Sequence, residues 1–394
     1  MSDTILVLRS YRYRLSPTRA QSRTLDNWLI LTRELYNAAL QERRDAWEKQ
    51  RIRVSMYDQM AQLPAVRGAR PEFAAIPIVV LRGVLRRLDR AFAGFFRRVK
   101  ARQTPGYPRF RGRGRFESLL LDDIHNYRFL VCGGKRVAIP LLGKVKVGLY
   151  RPLGGSPKTM LLKREVGRWS VTFACVDVPA KPLPKTGRTV GIDLGLHHFL
   201  ATSDGDCIPN ERPGGNASLR LARAQRRASR RRKGGTRKQE SLRLLARAHA
   251  RVANQRRERH ITVARALVAQ YDTIVVENLN VKGLARGMLA KQVNDAGWAS
   301  FLWWLHVKAE EAGRAVISVN PSGTSQSCSA CGLVVQKTLA ERTHRCPCGY
   351  VADRDVNAAR NILALGMSAR GAAPPVRGRQ RSAKSKSVGP EHTA

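Results

Sequence analysis

The hydrophobic pattern of the first hundred residues predicts one strand followed by two long helices. Residues 4–14 are β-branched and aromatic and then alternate Tyr with Arg, which predicts a strand. The hydroxyl of Ser16 followed by Pro17 is typical of a helix start, with Ser16 as the cap and Pro17 in the first turn. Apolar residues at helical spacing extend this predicted helix to near Lys49.

A second helix is predicted over residues 76–100, where apolar residues recur every three or four positions. These residues are Val80, Val84, Leu88, Phe92, Phe95, Phe96 and Val99. The opposite face is rich in arginine and includes Arg82 and Arg86. Such a face is either solvated charge or a nucleic-acid contact, and the excess of arginine on several elements favours the contact.

After the second helix, the spacing of apolar residues changes from the 3.6-residue period of a helix to the two-residue period of a strand. Residues 104–116 alternate Arg with Phe, Tyr and Gly around Arg109, Phe110 and Arg111, which suits phosphate contact beside base stacking. A basic linker is the alternative interpretation of this stretch. Over residues 128–177, apolar and polar positions alternate, which predicts a small antiparallel β-barrel or sandwich joined to the N-terminal strand.

The second half of the chain predicts buried strands separated by helices. The pattern predicts paired strands over 188–204, a helical hairpin over 216–260 that turns at 233–236, a strand over 273–279, a helix over 298–312 and a strand over 315–319. The hairpin has 16 Arg and Lys residues and only two acids. The segment after Gly366 is rich in Arg, Lys, Ser, Pro and Gly, which predicts a disordered basic tail.

Charge narrows the function classes more than length does. The chain has 394 residues, enough for two to four domains, with 72 Lys and Arg against 29 Asp and Glu, a formal net charge of +43. Self-repulsion of this size indicates a polyanionic partner, nucleic acid before a membrane surface. No apolar run is long enough to span a bilayer, and the charged N-terminus does not fit a secretory signal. A cytoplasmic protein is expected.

Four of the seven cysteines are clustered at metal-ligand spacing. They form two pairs separated by 14 residues, namely Cys328, Cys331, Cys346 and Cys348. This pattern, followed by a glycine after each pair, predicts a structural zinc ribbon rather than disulfides. The second pair is one residue tighter than usual, so His344 is an alternative ligand. Free buried thiols are the remaining alternative.

Two acids end apolar strand patterns, and a third lies near the start of a predicted helix. Asp193 follows Val-Gly-Ile, and Glu277 follows Ile-Val-Val. A carboxylate in such a context is costly unless a cation compensates it, either an arginine or a metal ion. Three carboxylates from separate elements would suit Mg²⁺ or Mn²⁺, and a pair of such ions can hydrolyse phosphodiesters.

Helical spacing selects the third acid. In a helix that begins near Asp353, the face with Asp355 also contains Ala358, Ala359 and Ile362. This small apolar face must pack against a sheet, so it directs Asp355 inward. Asp353 is better suited to cap the helix.

Taken in order, these motifs resemble the TnpB family, the transposon-encoded relatives of type V CRISPR effectors. The resemblance rests on Gly191-Ile-Asp-Leu-Gly, Val276-Glu-Asn-Leu, the four cysteines, Asp353-Arg-Asp-Val-Asn-Ala-Ala, the N-terminal Tyr-Arg-Leu-Ser-Pro-Thr and Pro108-Arg-Phe. It covers nearly the whole chain except the tail. The resemblance implies a multidomain α/β protein with an RNase H-like (RuvC) nuclease domain, a zinc-ribbon insert and a β-barrel wedge domain holding a helical recognition domain.

The resemblance, placed on the elements above, implies seven segments. They are a wedge barrel over 1–15 and 105–183, a recognition domain over 16–104, a RuvC-like nuclease over 184–322 and 351–366, a zinc ribbon over 323–350 and a tail over 367–394.

The implied activity is RNA-guided cleavage of double-stranded DNA beside a short flanking motif, with Asp193, Glu277 and Asp355 as the catalytic, Mg²⁺- or Mn²⁺-binding acids. The implied partners are a guide RNA, one per protein chain, and target DNA. Base pairing would then read the sequence while a basic channel holds the heteroduplex. The alternatives are a compact type V CRISPR effector, a guided repressor that does not cleave, and a transposase. An intact acid triad argues against the repressor.

Overall fold

The computed structural model describes residues 6–122, 124, 130–131, 134–338 and 341–372. Within it the chain folds into two compact units. One unit contains the described residues up to Ala180 together with residues 223–250, and the other contains residues 181–222 together with the described residues from Arg251 onward. No helix in the described ranges combines the length and the apolarity needed to cross a membrane.

In the first unit, the described strands form one antiparallel sheet. They are β1 (Leu6–Ser16), β2 (Ser118–Asp122), β3 (Leu130–Val131), β4 (Arg136–Ile139), β5 (Gly143–Gly148), β6 (Ser156–Glu165) and β7 (Arg168–Pro179). The strand order is β2-β6-β7-β1-β5-β4-β3. The N-terminal strand pairs with β7 on one side and β5 on the other, which confirms that it joins the later strands.

Five helices of the first unit lie between β1 and β2 in the chain. They are α1 (Arg19–Gln50), α2 (Met56–Ala61), α3 (Leu63–Ala69), α4 (Pro71–Ala74) and α5 (Ile78–Lys100). The predicted start of α1 was wrong, because Ser16 ends β1 and Thr18 is the cap. Thr18 Oγ1 accepts from Gln21 N at 3.2 Å, and Thr18 N donates to Gln21 Oε1 at 3.0 Å. This reciprocal cap needs Gln three residues after the hydroxyl.

The apolar stripe of α5 is buried only in its first half. Val80, Val84 and Leu88 belong to the core, as predicted. Phe96 is 55% exposed, and Phe92 packs edge-on against Tyr107 with ring centroids 5.6 Å apart. The second half of the stripe therefore covers the loop after the helix rather than the sheet.

In the second unit, a five-stranded sheet has mixed strand directions. Its strands are β8 (Thr189–Asp193), β9 (His198–Thr202), β10 (Cys207–Pro209), β11 (Thr273–Glu277) and β12 (Ala315–Val319). The order is β10-β9-β8-β11-β12; β8 is antiparallel to β9 and parallel to β11, and β11 is parallel to β12. Because β8 and β11 run in the same direction, their carboxyl ends lie at one edge of the sheet.

Seven more helices and a small hairpin complete the described chain. They are α6 (Pro213–Asn216), α7 (Ser218–Ser229), α8 (Thr236–Gln270), α9 (Val281–Leu284), α10 (Ala290–Ala296), α11 (Trp298–Ala312), β13 (Thr343–Arg345), β14 (Val351–Asp353) and α12 (Arg354–Ala372). Helices α7 and α8 confirm the predicted basic hairpin.

Helix α12 continues beyond the predicted end of the ordered chain. Gly366 lies inside the helix, and a Cβ at this position would overlap Val275 Cγ1. The glycine therefore permits close packing of α12 on β11 instead of ending the helix. The predicted disordered tail is wrong for residues 367–372, and its remainder, residues 373–394, lies outside the described residues.

Candidate active site and metal centre

Close packing of α12 on the second sheet brings the three predicted acids together. A Cβ on Gly191 of β8 would overlap Ala359 O, so helix backbone contacts strand backbone directly. Asp193 ends β8 and Glu277 ends the neighbouring β11. Asp355 lies one turn before Ala359, with its Oδ2 3.4 Å from the Cβ position of Gly195 in the turn after β8.

Two of the acids, Asp193 and Glu277, hold a proton more tightly than an ordinary carboxyl does. Burial first, then the negative charges of Glu277 and Asp355, raise the pKa of Asp193 to about 8, although the Leu194 N–H and Arg354 act in the opposite direction. Burial also raises the pKa of Glu277, opposed by a hydrogen bond from Thr324. A cation bound among the three would relieve this repulsion.

The raised pKa of Asp193 predicts how the stability of the metal-free protein depends on pH. Between the ordinary value of 3.8 and about 8, the folded state holds a proton that the unfolded state releases. The Asp193 contribution to the free energy of unfolding therefore falls as pH rises through this window. Asp193→Asn should raise the melting temperature more at pH 8 than at pH 5, without added divalent cations. An equal shift at both pH values would contradict the raised pKa.

The helix-face assignment of Asp355 and Asp353 agrees with the structure. Ala358, Ala359 and Ile362 are buried, and Asp355 is half-buried on the same face. Asp353 Oδ1 accepts from the backbone N–H of Asp355 at 2.8 Å and of Val356 at 3.3 Å. Asp353 is therefore the cap, as predicted.

Sequence reasoning missed one polar side chain that contacts an acid and two that hold the nearby backbone. Thr324 Oγ1 lies 2.5 Å from Glu277 Oε1, while Asn357 and Asn361 bind backbone groups of residues 324–329, at the start of the first cysteine pair. One sequence signal could have indicated the two asparagines: they lie four residues apart inside a predicted helix. Asparagine has a low helix propensity, so a pair at this spacing indicates that the side chains form specific hydrogen bonds.

The four predicted cysteine ligands converge on one point. Their sulfur atoms all lie within 4.8 Å of one another, and the Cys328–Cys348 and Cys331–Cys346 separations are 3.9 and 3.5 Å. Four thiolates bound tetrahedrally at about 2.3 Å from zinc would be about 3.8 Å apart. The sulfur positions fit zinc, and the tight second pair still reaches the site.

His344 is not one of the residues whose ligand atoms converge at this point in the described part of the chain. It lies in β13, is fully buried, and its Nδ1 forms a hydrogen bond with Lys337 Nζ. We therefore assign the ligand set to the four cysteines and place His344 beside it.

Removing one sulfur should release the metal. Cys348→Ser is expected to lower the zinc content of the purified protein from about one atom per chain to a small fraction of that, because a structural zinc site needs four ligands. Metal analysis by mass spectrometry measures the content directly. Cys207→Ser, which alters a cysteine outside the cluster, is the control and should keep the zinc. Full zinc content in Cys348→Ser would contradict the assignment.

The predicted nucleic-acid residues differ in their availability. Arg82, Arg109 and Arg111 are exposed, and Phe110 is 47% exposed. Arg86 is less available, since its Nη1 donates to Asp122 Oδ2 at 3.1 Å. The Asn37 side chain binds both the N–H and the C=O of Arg111, at 2.7 and 3.1 Å, which fixes the middle of the basic loop formed by residues 104–116.

A further basic groove lies along the second half of α7 and the two residues that follow the helix. Its volume is about 480 Å³, and it is lined by Arg223, Arg226, Arg227, Arg230 and Arg231. Arg223, Arg226 and Arg227 are three and four residues apart, so they lie on one side of α7, and Arg230 and Arg231 continue the groove in the turn after it. The predicted basic hairpin thus contains a concentrated patch of positive charge.

Three family models match separate parts of this chain. Residues 173–288 match the OrfB family of IS605 type, described as "Probable transposase". Residues 298–362 match the Cas12f1-like TNB domain, and residues 1–51 match a domain described as helix-turn-helix. The described part of the last match is the strand β1 and the single long helix α1.

One relative covers almost the full length of the chain. It is a "Putative RNA-guided DNA endonuclease" of Streptomyces pristinaespiralis, 33% identical over 391 residues, which covers 96% of this chain and 94% of the relative. The chain belongs to the TnpB family. InsQ of Escherichia coli K12, also named "Putative RNA-guided DNA endonuclease", is 29% identical and covers 74% of this TnpB chain and 75% of InsQ.

The structural comparison agrees with a multidomain α/β fold. The protein in a solved Cas12f1-sgRNA-target DNA complex aligns with a TM-score of 0.54 at 12% identity. The alignment covers 91% of this TnpB chain and 98% of that chain. At this identity the likeness concerns the fold alone, and the chemistry depends on the residues at the site.

Proposed function

We propose that this protein is a transposon-encoded, RNA-guided endonuclease that cleaves double-stranded DNA. The observation that supports this most directly is the convergence of Asp193, Glu277 and Asp355 at one edge of the second sheet. Asp193 is subject to repulsion from both partners, so the site favours a bound cation. The strand order β10-β9-β8-β11-β12 supports a RuvC-type, RNase H-like domain.

The acids would hold Mg²⁺ or Mn²⁺, hard cations that prefer oxygen ligands. When bound, such ions activate water and stabilise the leaving oxygen of a phosphodiester. The protein contributes the positions of the three carboxylates, each on a different packed element. Arg354 contributes positive charge near Asp193, and its Nη1 is anchored by donating to Thr338 O at 2.6 Å.

The first unit would bind the guide RNA and the heteroduplex. Exposed Arg82, Arg109 and Arg111 and the groove at the end of α7 provide positive charge for phosphates, and exposed Phe110 provides a face for base stacking. The antiparallel sheet would be the wedge barrel, and α1 to α5 the recognition domain. We propose one protein chain per guide RNA, acting in the cytoplasm, where bacterial DNA is accessible.

The intact acids favour cleavage over guided repression. A repressor needs only binding and has no use for three half-buried carboxylates, two of which repel Asp193. Retaining them costs stability in the absence of a metal ion, since each is desolvated or near a like charge.

The first test is to sequence the RNA that co-purifies with the protein. A single discrete RNA is expected, and its variable end should direct cleavage of a matched DNA duplex placed beside a library of flanking sequences. A duplex with mismatches beside the flanking motif is the control and should stay intact. Heterogeneous RNA, or equal cleavage of both duplexes, would refute the guided nuclease.

A further inference from the structure

Thr324 is in direct contact with one of the three acids. It lies between β12 and the first cysteine pair, is 5% exposed, and its Oγ1 is 2.5 Å from Glu277 Oε1. Pro321 O accepts from the same hydroxyl at 3.2 Å. Since a hydroxyl has one proton, an ionised Glu277 receives the shorter and stronger bond. Thr324 thus restricts which oxygen of Glu277 is free to face the site.

Helix α12 holds Thr324 in place through Asn361. The Asn361 Nδ2 donates to Thr324 O at 2.8 Å and to Ser327 O at 2.7 Å. Both amide protons of Asn361 therefore bind backbone carbonyls within residues 324–327. Because the acceptors are backbone atoms, these two bonds fix the path of the chain.

One helical turn earlier, Asn357 binds the backbone on both sides of Cys328. Its Nδ2 donates to Ser327 O at 2.8 Å, and its Oδ1 accepts from Ser329 N at 2.9 Å. The side chain is fully buried. Asn357 therefore ties the start of the cysteine cluster to the same helix that contains Asp355.

We propose that Thr324 is a positioning residue for Glu277, that Asn361 holds Thr324 in place directly, and that Asn357 holds the backbone that follows it at Ser327 and Ser329. In this arrangement α12 sets the positions of two acids, Asp355 by its own backbone and Glu277 through Thr324. The inference rests on the proposed function, in which these acids bind a divalent cation. Outer-shell hydrogen bonds of this kind alter metal affinity or activity by roughly 10- to 100-fold when removed.

The principal test compares Thr324→Val with Thr324→Ser in the complex with guide RNA. Valine keeps the shape and removes the hydroxyl, so half-saturation by Mn²⁺ should require roughly tenfold more ion or greater. Serine keeps the hydroxyl and should restore binding close to that of the parent. Electron paramagnetic resonance of free Mn²⁺ measures binding, and subtraction of the Asp193→Ala complex isolates the acid site from ions on the RNA.

Cleavage rates provide the second readout. The Mg²⁺ concentration for half-maximal cleavage should rise in Thr324→Val and return in Thr324→Ser, while the affinity for target DNA stays unchanged. A merely structural role would instead lower the melting temperature without moving the metal dependence. If Thr324→Val binds Mn²⁺ as tightly as the parent, the inference is overturned.

Asn361→Ala tests the support of Thr324 independently, and decides the matter if Thr324→Val does not fold. Alanine is a better helix former than asparagine, so α12 itself should not be weakened. Amide hydrogen exchange in residues 320–327 should accelerate, and Mn²⁺ affinity should fall. Unchanged exchange and affinity would overturn the proposal. A parent complex that binds Mn²⁺ but fails to cut a matched duplex would instead refute the proposed function.

Discussion

Asp355→Ala is expected to abolish DNA cleavage while guide RNA and target DNA remain bound. The carboxylate is half-buried on the face of α12 that packs on the sheet, and its charge acts on Asp193. Removing one member of a group that acts as a unit reduces rates by roughly 10³-fold or more. Single-turnover cleavage of a matched duplex measures the loss, and a gel-shift assay in the same buffer measures binding. Asp193→Ala should behave alike.

Asp353→Ala is the matched control for this substitution. It removes a carboxylate two residues away, but one whose Oδ1 caps the helix at 2.8 Å from Asp355 N. Loss of a cap costs about 1 kcal/mol of stability, so a slightly lower melting temperature and retained cleavage are expected. Loss of cleavage in Asp353→Ala with activity preserved in Asp355→Ala would reverse the assignment of the third acid.

Binding of nucleic acid should weaken steeply with salt. The chain has a formal net charge of +43, and exposed arginines occur on α5, on the basic loop and beside α7. A protein that neutralises 6 to 10 phosphates loses about 10³- to 10⁵-fold in affinity between 50 and 200 mM salt. Fluorescence anisotropy with labelled guide RNA over this range gives the slope of log affinity against log salt. A flat response would contradict a polyanionic partner held by these charges.

Two arginines on α5 refine this experiment. Arg82 is exposed, whereas Arg86 donates to Asp122 and is partly buried. Arg82→Gln should reduce the salt slope by about one if this side chain contacts a phosphate. Arg86→Gln should change the slope less and lower the melting temperature more, because it leaves the buried Asp122 carboxylate without its nearest cation. Equal effects of both substitutions would contradict this difference.

Two short elements of the second unit were predictable because glycine, arginine or proline residues bound their apolar runs. The predicted helix over residues 298–312 and the predicted strand over 315–319 match α11 and β12 in their bounds. Asp193 and Glu277 were predictable because an acid at the end of an apolar run is unusual. Asp355 was predictable because, at helical spacing, it shares a face with Ala358, Ala359 and Ile362, whereas Asp353 lies at the start of the helix.

Errors occurred where a local signal had two physical interpretations. Ser16 and Thr18 both have a capping hydroxyl, and only the bond to Gln21 selects Thr18. The Arg-, Ser- and Gly-rich composition after Gly366 predicted disorder, yet α12 continues to Ala372, and Gly366 permits close approach to Val275. The apolar stripe of α5 continues unchanged along the helix, so it does not predict where burial in the core ends.

Residue types and their spacing along the chain were enough to indicate the proposed chemistry of this TnpB protein: a polycation with three acids in strand and helix contexts and four cysteines at zinc spacing. The hydrogen bonds that connect these features could be found only in the folded chain. Thr324 meets Glu277 across 47 residues, and Asn361 meets Thr324 across 37, because α12 packs against β8 and β11. Contacts between residues so distant in sequence depend on packing geometry, which no local pattern encodes.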